Sequence, residues 1–298
     1  MRILLFGKNG QVGWELQRSL SPLGEVIALD SKSEDYCADF TNLSGLAETV
    51  RQIAPDVIVN AAAHTAVDKA ETEQELAQII NAGAVAVLAQ EAKLLDAWLI
   101  HYSTDYVFAG HGTKPWKETD STGPLGVYGA TKLAGEQAIQ RSGCKYLIFR
   151  TSWVYGARGN NFAKTMLRLA KERNSLTVID DQVGAPTGAD LLADVTAHTI
   201  RAVQASPELA GLYHLVASGE TSWHGYASFV IETAQKMGQN LNMAVENISP
   251  VPTSAFPTPA KRPSNSRLDT HKLQTKFALT LPDWQAGVER MLIEFLEK

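Results

Sequence analysis

The sequence predicts a doubly wound α/β fold: a parallel sheet with helices on both faces, followed by a smaller, loop-rich C-terminal lobe. Three observations carry this. Short β-rich runs alternate with longer helical patterns through the first half. A glycine-rich segment joins the first run to the first helix. The alternation then fades, and a Pro/Ser/Thr-rich stretch interrupts the second half.

The elements justify the class in turn. Arg2–Phe6 is an apolar run too short to span a membrane and reads as a buried strand. Gln11–Leu20 is helical, and Ser21-Pro22 stops it. Val26–Leu29 is the next strand. Leu43–Ile53 is a helix broken by Pro55-Asp56, and Val57–Asn60 is a strand. Glu73–Leu95 reads as one long helix with an Ala-rich face. Trp98–Ser103 is a strand, Leu125–Gln140 is mostly helix, and Lys145–Thr151 is a strand. Right-handed crossovers then make the doubly wound sheet the economical topology. Downstream, Phe162–Arg173, Asp190–Ala205, Tyr226–Met237 and Trp284–Glu297 read as helices. Leu176–Ile179 and Leu212–Val216 read as short strands, and Pro250–Ser266 as a long loop.

Bulk properties narrow the function classes. The chain has 298 residues, enough for a large core, with 45% hydrophobic and 20% charged residues. A net charge of −5 argues against a nucleic-acid binder. The two cysteines, Cys37 and Cys144, have no metal-ligand spacing and read as reduced. No segment reaches membrane-spanning length, so the expectation is a cytoplasmic protein with no membrane or nucleic-acid partner.

Gly7, Gly10 and Gly13 punctuate the turn between the first strand and helix. Such a turn lets the backbone approach a pyrophosphate at a helix N-terminus. With Gln11 and Val12 they form the candidate dinucleotide loop, although a simple strand–helix turn uses the same residues. Asp30 ends the second strand, where a carboxylate accepts from a ribose hydroxyl and favours NAD. Lys8 and Lys32 lie close and offset its repulsion of a 2′-phosphate, so NADPH and NADH both stay open. Asp39 and Phe40 are candidates to flank the adenine; Phe40 as core is the competing reading. Ala62, Ala63, His64 and Thr65 follow the Val57–Asn60 strand, where small side chains leave room for a ligand.

Tyr128 and Lys132 lie four positions apart and share a helical face. A ketone reductase must protonate the oxygen while hydride attacks the carbon. A nearby lysine cation is expected to lower the tyrosine pKa; bringing it from about 10 to about 7 takes roughly 4 kcal/mol. Thr104 is the natural hydroxyl partner. With 8 tyrosines in the chain, on the order of 0.4 such Tyr-x-x-x-Lys pairs are expected by chance. Position behind the glycine loop and after Ser103-Thr104 therefore supplies most of the weight.

The glycine loop, Asn60-Ala61-Ala62-Ala63, Ser103-Thr104-Asp105-Tyr106-Val107-Phe108 and Tyr128-x-x-x-Lys132 occur in this order. So ordered, they resemble the extended short-chain dehydrogenase/reductase family, and more narrowly its dTDP-4-keto sugar reductases. Thr151–Gly156, Gly159–Phe162, Asp181–Thr187, Gly211–His214 and Arg262–Leu268 extend the resemblance over nearly the whole chain. It implies reduction of the C4 ketone of dTDP-4-dehydro-L-rhamnose by NADPH or NADH, the last step of dTDP-L-rhamnose synthesis. It implies Tyr128 as proton donor, Lys132 on the nicotinamide ribose, and Thr104 adjusting the tyrosine. Tyr102 would line the cofactor site, while Thr104, Asp105 and Trp153 would face the sugar. It further implies a homodimer and a magnesium ion, whose ligands no motif identifies. The expected division is a dinucleotide-binding domain at 1–155, with roughly 174–200 returning to it. A nucleotide-sugar domain would take roughly 156–173 and 201–298.

The related dehydratases resemble Thr-Asp-Glu where this chain has Thr104-Asp105-Tyr106, so the carboxylate that elimination uses is missing. A sugar-nucleotide epimerase and a non-catalytic NADP-binding regulatory subunit are the rival readings. Lys261, Arg262 and Arg267 are expected candidates to neutralise the substrate diphosphate, unless they are solvated loop charges.

Overall fold

The strand patterns of the first half assemble into one sheet in the computed structural model, which describes residues 1–297. The strands there are β1 (Arg2–Phe6), β2 (Glu25–Leu29), β3 (Val57–Asn60), β4 (Trp98–Thr104) and β5 (Lys145–Thr151). Shorter strands follow: β6 (Val154–Tyr155), β7 (Leu176–Ile179), β8 (Val183–Gly184), β9 (Thr187–Gly188), β10 (Gly211–His214), β11 (Thr221–Ser222) and β12 (Ile248–Val251). The main sheet has six strands in the order β10-β5-β4-β3-β1-β2. Every neighbouring pair in it is parallel. The order reverses between β1 and β3, which opens a crevice at the strands' C-terminal ends.

Both faces of the sheet are covered because its strands are apolar on both faces. Ile3 and Leu5 pack with Leu16 and Leu20 of α1 (Gln11–Leu20). Leu4 and Phe6 point the other way, onto Leu46 and Val50 of α2 (Leu43–Ile53). Full burial of each such side chain contributes about 1.5–3 kcal/mol.

The pattern at Glu73–Leu95 is not one regular helix. After α3 (Val67–Ala70) come α4 (Gln74–Gln78), a π-helical turn at Ile79–Gly83, and α5 (Ala84–Leu94). The buried Asn81 accounts for the interruption. Its Oδ1 accepts from His64 N at 2.9 Å, and its Nδ2 donates to His64 O and to Thr131 Oγ1, each at 3.1 Å. Thr131 belongs to α6 (Val127–Ser142).

A second layer of helices, α7 (Phe162–Glu172), α9 (Trp223–Lys236) and α11 (Trp284–Leu296), shares a separate core around Tyr226, Val230, Trp284 and Val288. Two downstream segments belong to the main sheet's surroundings instead. β10 pairs with β5, and α10 (His271–Phe277) packs Leu273 and Phe277 beside α8 (Ala189–Ala205). The Pro/Ser loop is tied down: Val183 N donates to Ser264 O, Ser266 N to Val183 O, and Asn265 N to Gly110 O. Its first residues, Pro250 and Val251, lie in β12, which pairs with β7 in a two-stranded ribbon where a missing N–H is tolerated. Among the described residues no helix is long and apolar enough to cross a membrane.

Candidate active site

The crevice at the β1/β3 reversal is a cleft of about 820 Å³. Gly7, Gly10, Gln11, Val12, Asp30, Asp39, Phe40, Ala62, Ala63, Thr65 and Tyr102 line it, as do Thr104, Asp105, Tyr128, Lys132 and Trp153. Two sequence candidates do not. Gly13 packs α1 against the loop: a Cβ there would sit 2.0 Å from Gly7 O. His64 turns away to Glu73, with Nε2 at 2.8 Å from Oε2.

The loop fits a dinucleotide. Gly7 has φ +87, and a Cβ on it would lie 2.8 Å from the Ala61 carbonyl group. Only glycine meets both demands. Gly10 caps α1, so the helix's first N–H groups face the cleft, where they and the dipole favour a pyrophosphate. Asp30 is engaged by its own loop, bonding Asn9 Nδ2, Lys32 N at 3.0 Å and Ser33 Oγ at 3.3 Å. Slight burial pushes its pKa up, but these bonds and the Lys8 charge hold it below the usual carboxylate value. Asp39 accepts from Thr41 N and Oγ1. Phe40 lines the cleft and also packs in the core, meeting Phe6 edge-on at 5.5 Å.

Deeper in, β4 and α6 bring the chemistry together. Gly129 makes this possible: a Cβ there would strike Tyr106 O at 2.2 Å, so α6 touches the 3-10 turn that follows β4. Thr104 Oγ1 accepts from Tyr106 N at 3.2 Å, donates to Asp105 Oδ1 at 3.1 Å, and hydrogen-bonds the Tyr128 hydroxyl. Lys132, 3% exposed, donates to Tyr102 O at 2.6 Å. One turn on, Glu136 receives Arg150 through two bonds of 2.9 and 2.6 Å and Ser103 Oγ at 2.5 Å. That buried network clamps α6 to β4 and β5.

The electrostatics correct one expectation. Burial pushes the Tyr128 pKa up to about 12; the Thr104 bond opposes this and the Asp105 charge adds to it. Desolvation sets the direction of that shift. Burial instead lowers Lys132 itself to about 8 against the Glu136 charge. Burial also raises Asp105 to about 6, against hydrogen bonds from Ser266 and Thr104.

Trp153 sits at φ +49, rare for a bulky side chain, and stacks on Trp223 with centroids 3.7 Å apart and planes 16° apart. Trp223 also lines the cleft and is missing from the sequence candidates, as are Asn60, Tyr106, Thr151 and Ser152. Nothing local marks Trp223, which comes from α9. Tyr106 meets the Tyr128 ring edge-on at 5.5 Å and hydrogen-bonds Arg262. Two of the three basic loop candidates are paired within the chain: Arg262 with Asp68 at 2.7 Å, and Arg267 with both Glu220 oxygens at 2.6 and 3.1 Å. Among the described residues no group of three or more His, Cys, Asp or Glu gathers to hold a metal.

Comparison with known proteins agrees with this geometry. The family described as RmlD substrate binding domain matches residues 1–297. The dTDP-4-dehydrorhamnose reductase of Shigella flexneri is 65% identical over 294 residues, 99% of this chain and 98% of that protein. The enzyme of the same name from Escherichia coli K12 is also 65% identical over the same shares. A crystal structure of dTDP-4-dehydrorhamnose reductase from Bacillus anthracis in complex with NADP is 37% identical, with a TM-score of 0.87 over 98% of this chain and 99% of that one. On sequence, fold and site together, the chain belongs to the dTDP-4-dehydrorhamnose reductase family.

Proposed function

We propose that this chain reduces the C4 ketone of dTDP-4-dehydro-β-L-rhamnose to dTDP-β-L-rhamnose, using NADPH or NADH, as the last step of dTDP-L-rhamnose synthesis. The observation that carries it is the meeting of Thr104, Tyr128 and Lys132 at the base of the cleft behind the glycine loop. When bound, the reduced nicotinamide supplies the hydride. Tyr128 supplies the proton to the carbonyl oxygen. Thr104 orients that phenol and is within reach of the same oxygen. Lys132 stands one helical turn away to stabilise the tyrosinate and to hold the nicotinamide ribose. Asp105 and Trp153 face the sugar, and Tyr106, in place of a carboxylate, leaves simple reduction rather than elimination.

The main sheet with α1 and α8 would then hold the dinucleotide, and the layer around Trp223 the nucleotide sugar. The family resemblance also supports a cytoplasmic homodimer and a bound magnesium ion; sedimentation with and without magnesium checks the last two. The function is tested by following NADPH and NADH oxidation with a panel of dTDP-4-keto sugars. Stoichiometric oxidation with the 4-dehydrorhamnose substrate is expected. Conversion without net oxidation would indicate an epimerase, and no conversion a regulatory subunit.

A further inference from the structure

Trp223 borders the cleft and has one polar side-chain atom, its indole Nε1–H. That atom donates to Gln182 Oε1 at 3.1 Å. The pairing follows from strand register. β8 and β11 run antiparallel with Thr221 opposite Gly184 and Ser222 opposite Val183, so one step further Trp223 comes opposite Gln182. Residues so opposed share a face of the ribbon.

Gln182 is 3% exposed and is not among the residues that border the cleft. An indole N–H can only donate, so the amide oxygen faces Trp223 and the NH₂ faces the other way. There Nε2 donates to Thr253 Oγ1 at 3.0 Å. Thr253 Oγ1 in turn donates to Asp181 Oδ1 at 2.5 Å, and Thr253 N donates to the same oxygen at 2.9 Å. The bonds therefore run one way, from the cleft wall through the Pro/Ser loop to the exposed Asp181.

The ring of Trp223 is packed as well. Trp153 stacks on it at 3.7 Å, and Phe162 and Tyr226 approach with centroids at 4.6 and 6.3 Å. Packing of this kind constrains the plane of the ring but not which of its edges faces the cleft. A directional hydrogen bond does. With Nε1 committed to Gln182, Trp223 offers the cleft only carbon.

We infer that Gln182 is a positioning residue for the sugar: it acts through Trp223, holding the N–H out of the cleft so that this wall meets substrate C–H surface. The consequence for the sugar deepens the ketone-reduction reading and rests on it. A freed indole would place an unsatisfied donor in a wall suited to C–H contact, which weakens sugar binding and leaves the hydride and proton steps alone.

Two measurements test this, and the first needs no substrate. Proton exchange of the indole Nε1–H is read from ¹⁵N spectra of the whole protein labelled at tryptophan. The resonance lost in Trp223→Phe is expected to exchange about fivefold faster in Gln182→Met, which keeps the side chain's length and removes the acceptor. Unchanged exchange overturns the inference whether or not the substrate reading holds. The second is steady-state kinetics. Gln182→Met should raise KM for the dTDP-sugar about fivefold, with kcat and the Kd for NADPH within about twofold of the parent. In the Trp223→Phe background, which has no N–H, the same substitution should leave KM unmoved. No rise in the parent background also overturns it, as does an equal rise in both, because a merely structural Gln182 acts regardless of the N–H. If Gln182→Met does not fold, the parent decides alone. Its Trp223 Nε1–H is then expected to exchange at least about 100-fold slower than a free indole, and faster exchange overturns the inference. Failure of the parent to reduce any dTDP-4-keto sugar would overturn the substrate reading and leave the exchange test standing.

Discussion

Burial holds the Tyr128 phenol protonated, and Thr104, which donates to Asp105, is hydrogen-bonded to its hydroxyl. Removing only its hydroxyl keeps the ring's contact with Tyr106. Tyr128→Phe is therefore expected to lose roughly 10²- to 10⁴-fold in kcat while binding NADPH normally, as read by steady-state rates and a fluorescence titration. Near-normal turnover would refute its role as proton donor. Asp105 makes a stability prediction with a definite sign. Its pKa is raised by burial from 3.8 to about 6. Between those values the folded chain binds more protons than the unfolded one, so stability falls as pH rises through that window. Asp105→Asn should thus stabilise the fold at pH 7.5, by up to about 3 kcal/mol, and by progressively less toward pH 4. Thermal melts across that range check it; an equal difference at both pH values contradicts the burial argument.

At the scale of elements, the turn between β1 and α1 leaves no room for a side chain. Gly7→Ala puts a Cβ 2.8 Å from the Ala61 carbonyl at a φ of +87. A cost of about 1–3 kcal/mol is expected, with loss of NADPH affinity because the loop must move. Calorimetry of folding and of NADPH binding reads both, and unaltered affinity would mean that the cofactor does not approach this turn. This element was legible in the sequence because its cause is local: glycine spacing between a short apolar run and a helical pattern. The strands of the main sheet and the longer helices were legible for the same reason, whereas the short strands β6, β8, β9, β11 and β12 were not. The π-helical turn was not, since Asn81 interrupts the helix through partners far along the chain, His64 and Thr131. The role of Gln182 was equally hidden. Its meaning comes from Trp223 and Thr253, 41 and 71 positions along the chain. Lys132's cation suggested a lowered tyrosine pKa, but the sequence carries no measure of desolvation, which sets the opposite sign.

Across the whole molecule, the cleft is shared between two separately packed layers. The first supplies the glycine loop, Thr104 and Tyr128; the second reaches in through Trp223, which has no sequence signal of its own. Trp223→Ala is accordingly expected to raise KM for the dTDP-sugar about tenfold and to leave the Kd for NADPH within about twofold, since a buried aromatic face contributes on the order of 1–2 kcal/mol. A matching loss of NADPH affinity would show that the two layers do not divide the ligands in this way. The same stacked pair of indoles has an optical consequence. Two stacked rings 3.7 Å apart with nearly parallel planes couple their electronic transitions, and both border the cleft. Their emission and near-ultraviolet dichroism form a native reporter, and stopped-flow fluorescence of the unlabelled protein can time the seating of the sugar separately from the arrival of the reductant.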